Sequence, residues 1–207
     1  MKLKSQPSPP PEPRRELRRR QILSAAKKLV AKNGLDGLTI EALENRLDFT
    51  RGVITYHFKN KDDIINALLK STLQEVDRAT LAHVQAAPTV EEKVKTMIRS
   101  EIKGFLENPQ ATRTMLSFWS RVHCDSRIKK LNARLYQLYR QRAARLIKAG
   151  QLQGAFKDVS VEGLSALMVA AVVGIVCQSY FDPGAIDPET AAEEATQAIL
   201  ARLKTKA

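Results

Sequence analysis

The chain has 207 residues, 43% of them hydrophobic and 27% charged, with a formal net charge of +12; that supports cores for one small and one larger domain and favours a polyanionic partner. Its two cysteines, Cys124 and Cys177, show no CxxC spacing, and its three histidines, His57, His83 and His123, are too scattered to hold a metal. With no HExxH, nucleophile elbow or phosphate-cradling glycine loop either, the expectation is a protein with no catalytic site, no cofactor and no metal.

Residues 1–13 carry five prolines and little that could be buried, which predicts a disordered, Pro-rich tail. A first helix follows over about Arg15–Lys32, with Ile22, Ala25, Ala26, Leu29 and Val30 as its buried stripe and Asn33-Gly34 as a left-handed stop. Arg14, Arg15, Arg18, Arg19, Arg20, Lys27, Lys28 and Lys32 face Glu16 alone. They can neutralise phosphates and release counterions, the reading preferred here over a merely solvated helix face.

The stretch from Thr39 to Phe58 reads as two short helices and a turn. Ile40, Leu43 and Leu47 recur at helical spacing behind Thr39, whose hydroxyl can cap the first helix. Asp48 stands at the turn and is among the few residues besides Gly that tolerate a left-handed backbone. Thr50 can cap a second helix, Arg51–Phe58, whose buried side needs only Ile54 and Phe58, with Val53 assisting. Arg51, Gly52, Thr55, Tyr56 and His57 are left facing outward. That set suits a DNA surface. Arg can donate twice to the O6 and N7 edge of guanine, Thr can meet a thymine methyl or a base edge, Tyr and His can donate to phosphates, and Gly lets the backbone approach closely.

This part of the chain resembles the TetR family of one-component transcriptional regulators. The match runs from about Arg19 to Leu69, through Ile22, Ala25, Ala26, the Gly34 turn, Thr39-Ile40, Leu43, Thr50-x-Gly52, Tyr56-His57-Phe58, Lys61 and Leu68. It departs from the family pattern at Glu44, Asp48, Phe49 and Thr55. The resemblance implies that the second helix enters the major groove of an operator, with Thr39, Tyr56, His57 and Lys61 on phosphates. The DNA-binding set is then Thr39, Thr50, Arg51, Gly52, Thr55, Tyr56, His57 and Lys61.

Beyond it, Asn60-Lys61-Asp62-Asp63 reads as a helix start, with Asn60 as cap and two acids at the positive end of the dipole. Ile64, Ile65, Leu68, Leu69, Leu73, Val76 and Val84 keep helical spacing almost to Pro88, a rod of about 25 residues and roughly 38 Å. Thr89 and Glu92 form the capping-box pattern of a fifth helix through Met97, Ile98, Ile102, Phe105 and Leu106, closed by Asn108-Pro109, where a sixth begins. Met115, Leu116, Phe118, Trp119 and Val122 then make a dense apolar and aromatic face. A seventh helix is expected over Ser126–Ala149, ended by Gly150. This helix and its approach hold Arg121, Arg127, Lys129, Lys130, Arg134, Arg140, Arg142, Arg145 and Lys148 against Asp125 alone. A solvated face is the ordinary reading, with an anionic ligand or a second DNA contact as alternatives. Val161–Phe181 is apolar nearly all round, so its helix must be buried on several sides, within the domain or against a partner subunit. The apolar run Leu164–Cys177 is too short for a membrane span and the N-terminus has no signal-peptide core, so a cytoplasmic protein with no membrane partner is expected. Asp187-Pro188-Glu189 starts a ninth helix ending near Leu203.

The expected fold class is all-α with about nine helices: a three-helix helix-turn-helix domain over residues 14–60 and a larger effector-binding and dimerisation domain over 61–207. In the latter, Phe105, Trp119, His123, Tyr136, Tyr139, Gln178 and Tyr180 put ring faces and polar tips on apolar helices, the mixture a small-molecule pocket needs. The FWSRVH segment and the tyrosine- and arginine-rich helix behind it resemble the BetI-type branch of the family, whose named member responds to choline. A quaternary ammonium held on ring faces and an acidic metabolite drawn by the basic residues both stand as effectors. The expected function is a ligand-responsive transcriptional repressor, a homodimer released from a palindromic double-stranded DNA operator by a small molecule. The alternative is a small-molecule-binding or protein-interaction helical dimer that no longer binds a specific DNA site.

Overall fold

The computed structural model describes residues 13–204, without the side chains of positions 72, 73, 75–77 and 79. The tail expected over residues 1–13 falls, but for Pro13, outside the described residues, as do the side chains of Leu73 and Val76. Among the described residues the chain is all-α. It runs α1 (Arg14–Asn33), α2 (Ile40–Leu47), α3 (Arg51–His57), α4 (Lys61–Ala86), α5 (Val90–Leu106), α6 (Pro109–Trp119), α7 (Ser126–Leu152), α8 (Val161–Phe181) and α9 (Pro188–Leu203). The chain divides into two units, Met1–Leu68 and Leu69–Ala207, so the division falls inside α4 and not at the expected boundary after residue 60. The smaller unit takes in the first two turns of α4, where Ile64, Ile65 and Leu68 are buried.

In the smaller unit α1 buries Ile22, Ala25, Ala26, Leu29 and Val30, the stripe its spacing predicts. Gly34 ends it at φ 70°, its N–H donating to Val30 O at 2.9 Å. Leu35 and Leu38 in the following loop are also buried; two apolar residues in a turn have no helical period, so the stripe alone misses them. Thr39 Oγ1 accepts from the Ala42 N–H at 3.0 Å and starts α2. That helix closes on Asp48 at φ 52° and ψ 35°, a left-handed conformation that costs a non-glycine residue about 1 kcal/mol. Asn60 Oδ1 accepts from the Asp63 N–H at 2.9 Å at the start of α4.

In the larger unit α5 to α9 each open on a side-chain cap. The acceptors are Thr89 for the Glu92 N–H (3.1 Å), Asn108 for Ala111 (3.1 Å), Asp125 for Arg127 (2.9 Å), Ser160 for Gly163 (3.1 Å) and Asp187 for Thr190 (3.0 Å). Each satisfies a first-turn donor that has no partner inside its helix. α8 packs on α5, α7 and α9, and α5 also meets α6, α7 and α9, so α5 and α8 form the centre.

Gly150 does not end α7. The helix runs on to Leu152, and Gly150 is buried within it against Phe156, where a Cβ would stand 2.1 Å from the ring. Gly154, at φ 71°, turns the chain, and the N–H groups of Ala155 and Phe156 come back to Gly150 O. Close approach, not a left-handed backbone, is what requires glycine at 150. The apolar helix is longer than the run Leu164–Cys177. α8 has 21 residues and a mean hydropathy of 1.9 over its most apolar window, so length and composition alone would let it span. Its packing on α5, α7 and α9 places it in the helical domain.

Candidate functional site

The short helix α3 is positioned from beneath. Ile54 is fully buried and Phe58, its C-cap, is 2% exposed, whereas Arg51, Gly52, Thr55 and Tyr56 are exposed and Val53 and His57 half-buried. Tyr56 is 72% exposed, the most exposed large hydrophobic side chain among the described residues of the smaller unit. Thr50, expected to cap α3, has the extended N-cap backbone but its side chain makes no capping bond. Thr55 turns its hydroxyl back onto Arg51 O (2.9 Å) and Gly52 O (3.3 Å). Its hydroxyl proton is therefore engaged within the helix.

The end of α3 is held by Arg19, whose Nη1 donates to His57 O at 3.2 Å and whose guanidinium lies 4.3 Å over the Phe58 ring. Burial, then the charges of Arg15, Arg19 and Arg18, hold the His57 imidazole below its ordinary pKa of 6.5. At neutral pH the ring is neutral and keeps a single N–H donor. Thr39 is exposed with its oxygen engaged as the α2 cap, and Lys61 is half-buried at the first turn of α4. All eight residues of the DNA-binding set fall in the smaller unit.

In the larger unit a cavity of about 60 Å³ lies among α5, α6, α7 and α8. Phe105, Trp119, Tyr136 and Tyr139 line it together with Met97, Met115, Met168 and the valines of α8. Trp119 stacks on Tyr136 at 6.4 Å and 30°, and Tyr136 meets Tyr139 edge-on at 6.5 Å. Burial, with a smaller contribution from Cys177, pushes the Tyr136 hydroxyl up to about 12, and burial pushes the Cys177 thiol up. Both groups stay neutral. The Thr112 hydroxyl is taken by Phe105 O at 3.1 Å.

The one charged residue of the described lining is Glu101 of α5, 5% exposed. Its place on the fifth helix was not singled out from the sequence. The signal was present: Glu101 lies four residues after Met97, three after Ile98 and four before Phe105, on the buried face. Three expected residues are not in the lining. His123 is exposed in the turn beyond α6, which ends at Trp119. Gln178 is exposed, about 100° round α8 from Cys177, with its Nε2 on Gly174 O at 3.3 Å. Tyr180 likewise stays outside, edge-on to Phe181 at 5.8 Å. Arg127, Lys129, Lys130, Arg134, Arg140, Arg145 and Lys148 of α7 are exposed, and none lines the cavity.

A helix-turn-helix with an outward polar face, and an all-α unit with an aromatic cavity, define the class of ligand-responsive, DNA-binding transcriptional regulators. Residues 22–68 match the bacterial regulatory proteins of the tetR family, and residues 90–204 match the BetI-type transcriptional repressor C-terminal domain. The chain belongs to the TetR family, in its BetI-type branch, and its role is regulatory rather than enzymatic. A relative named HTH-type transcriptional regulator BetI, from Burkholderia thailandensis, is 26% identical over 159 residues, covering 74% of this chain and 79% of that one. A transcriptional regulator from Saccharomonospora viridis, solved in complex with choline, shares the fold with a TM-score of 0.78 at 21% identity, over 92% of this chain and 100% of that one. A TetR regulator from Haloarcula marismortui does so with a TM-score of 0.81 at 18% identity, over 91% and 100%.

Proposed function

We propose that this chain represses transcription as a homodimer on a near-palindromic operator and that a small organic cation seated among α5, α6, α7 and α8 releases it. The observation that carries the reading is the occurrence, in one chain, of an exposed polar face on α3 and a cavity whose lining holds three stacked or edge-on rings and a buried acid but no base. Arg51, Thr55 and Tyr56 meet the bases, Gly52 lets the backbone close in, and Thr39, Thr50, His57 and Lys61 hold phosphates. The protein works in the cytoplasm, where its operator is.

The cation reading is favoured over an acidic effector because seven basic residues of α7 are exposed and none of its basic residues lines the cavity, while ring faces and Glu101 do. A volume of 60 Å³ is about four to six times what one water needs, which suits a trimethylammonium-sized group and not a long acyl chain. Trp119 Nε1 is buried without a partner among the described residues, and is the donor for an oxygen on the effector. Choline in the Saccharomonospora viridis neighbour has this chemistry.

The homodimer is supported by α8. Only 28% of its most apolar window is buried within the chain, and Leu167 and Phe181 are 49% and 68% exposed. A second copy related by a two-fold axis covers that face and sets two recognition helices about 34–36 Å apart, one turn of DNA. The effector changes this spacing through α4, the helix both units share, with an expected coupling of about 1–3 kcal/mol, or roughly 5–150-fold in operator affinity.

The test is a band shift on the duplex upstream of the protein's own gene, with genomic footprinting to find other sites, repeated with choline chloride at constant ionic strength. A discrete complex relieved by choline is expected. No discrete site anywhere rejects the repressor reading, and a complex indifferent to choline rejects the effector half.

A further inference from the structure

The basic start of α1 lies outside the DNA set assigned above, yet it faces the same helix. Arg14, Arg15 and Arg18 form one wall of an open groove whose other wall is Thr50, Gly52, Val53, Tyr56 and His57. The Arg18 guanidinium lies 4.9 Å over the ring of Phe49, in the turn that leads into α3. The neighbouring Arg19 is clamped on Phe58 and His57 O, which ties α1 to the far end of the recognition helix. The field of Arg15, Arg19 and Arg18 already reaches His57 across the groove. No acid lines it. Like charges one turn apart repel, and cations at this end of a helix oppose its dipole. The cluster therefore costs the free protein stability, a cost that a polyanion in the groove would reverse.

We propose that this groove seats a strand of duplex DNA by its phosphates, with Arg14, Arg15 and Arg18 as contact residues and Phe49 as the positioning residue that holds Arg18. The proposal rests on the reading of α3 as the recognition helix. With α3 against base edges, the sugar-phosphate strand bounding that major groove runs along the flank that carries Thr50 and His57. Arginines on the opposite wall meet the same strand from its other side. Guanidinium suits the task, since its planar fork matches two phosphate oxygens, and stacking on Phe49 fixes its plane without engaging its N–H donors. Phosphate contacts carry no base preference, so this wall raises affinity for every sequence and steepens the dependence on salt.

The experiment measures dissociation constants of the full-length protein, across a KCl series, for the footprinted operator duplex and a scrambled duplex of equal length. Replacing all three residues (Arg14→Gln, Arg15→Gln, Arg18→Gln) is expected to weaken both duplexes alike, by about tenfold or more, and to lower the log–log salt slope by about 2–3. Phe49→Leu is expected to weaken binding by about 2–5-fold, with little further loss from Arg18→Gln in that background, while Phe49→Tyr retains wild-type affinity. The triple variant should melt no lower than wild type; should it fail to fold, the Arg14→Gln, Arg15→Gln pair replaces it, with a slope change of about 1–2. An unchanged slope in a folded variant, or a loss confined to the operator duplex, overturns the phosphate wall. If Arg51→Ala still erases operator preference in that case, the recognition helix stands without it. A wild type that binds no duplex overturns both.

Discussion

α3 has seven residues and buries one of them, Ile54, whereas α8 has 21, buries five and is apolar nearly all round. On α3 the exposed residues are Arg51, Gly52, Thr55 and Tyr56, so residue type alone separates the working side from the core. On α8, Met168 and Val176 line the cavity, Leu164 and Ile175 are buried away from it, and Leu167 and Phe181 stand exposed. Three tasks are carried by one kind of side chain. Chemistry that faces water is marked by composition, while chemistry set among apolar neighbours is marked only by geometry.

The largest expected effect would come from the exposed face of α8. Leu167→Glu would place an unpaired carboxylate in the proposed homodimer interface, a penalty on the order of 3–5 kcal/mol, and sedimentation should find a monomer with operator affinity reduced by about 100-fold or more. An undisturbed dimer would show that this face serves something else. Next in size is the interior of the larger unit. Gly150→Ala should destabilise it by about 1–3 kcal/mol in urea unfolding, because the buried Phe156 ring has nowhere to go. A neutral substitution would show that the Phe156 ring can yield to a methyl group.

Comparable in size, but on the water-facing side of the comparison, Arg51→Ala should cost about 1–3 kcal/mol of operator binding and relax base preference, whereas Lys61→Ala should weaken all duplexes alike. Binding selections on randomised half-sites separate these outcomes. Smaller again, Glu101→Gln should weaken choline binding about tenfold by calorimetry, with operator binding in the absence of effector unchanged. Equal affinity for choline in the variant would remove the acid from the recognition scheme.

The smallest effect concerns His57, whose pKa is held below 6.5 in the folded chain. As pH falls below 6.5 the unfolded chain takes up the proton first, so this contribution to stability is present at neutral pH and lost towards the folded pKa. Melting temperatures of wild type and His57→Gln should therefore converge on acidification. A gap that widens as pH falls would reverse the sign of the argument.

Much of the smaller unit was legible before any coordinates. Ile22, Ala25, Ala26, Leu29 and Val30 at helical spacing, Thr39 as cap, Asp48 in a left-handed turn and Ile54 under α3 all depend on residues within a turn or two of one another. Legibility failed where a local rule had a competitor. Thr50 has the backbone of a cap without its hydrogen bond, and Gly150 matched a stop although a ring from six residues on was the reason for it. His123 and Gln178 were drawn into the pocket by type and left outside it by phase.

The sequence by itself determined the nine helices of the described residues, the caps that open α2, α4, α5 and α9 and the polar face of α3, since hydrogen bonds one turn long and a 3.6-residue period are written in neighbouring residues. Periodicity tells which face of a helix is apolar, but not what that face meets. Only the tertiary structure could bring Glu101 to the stacked rings of Trp119 and Tyr136, set Arg18 on Phe49 and leave Leu167 uncovered. Those pairings join residues from different helices, and packing, not local preference, selects them.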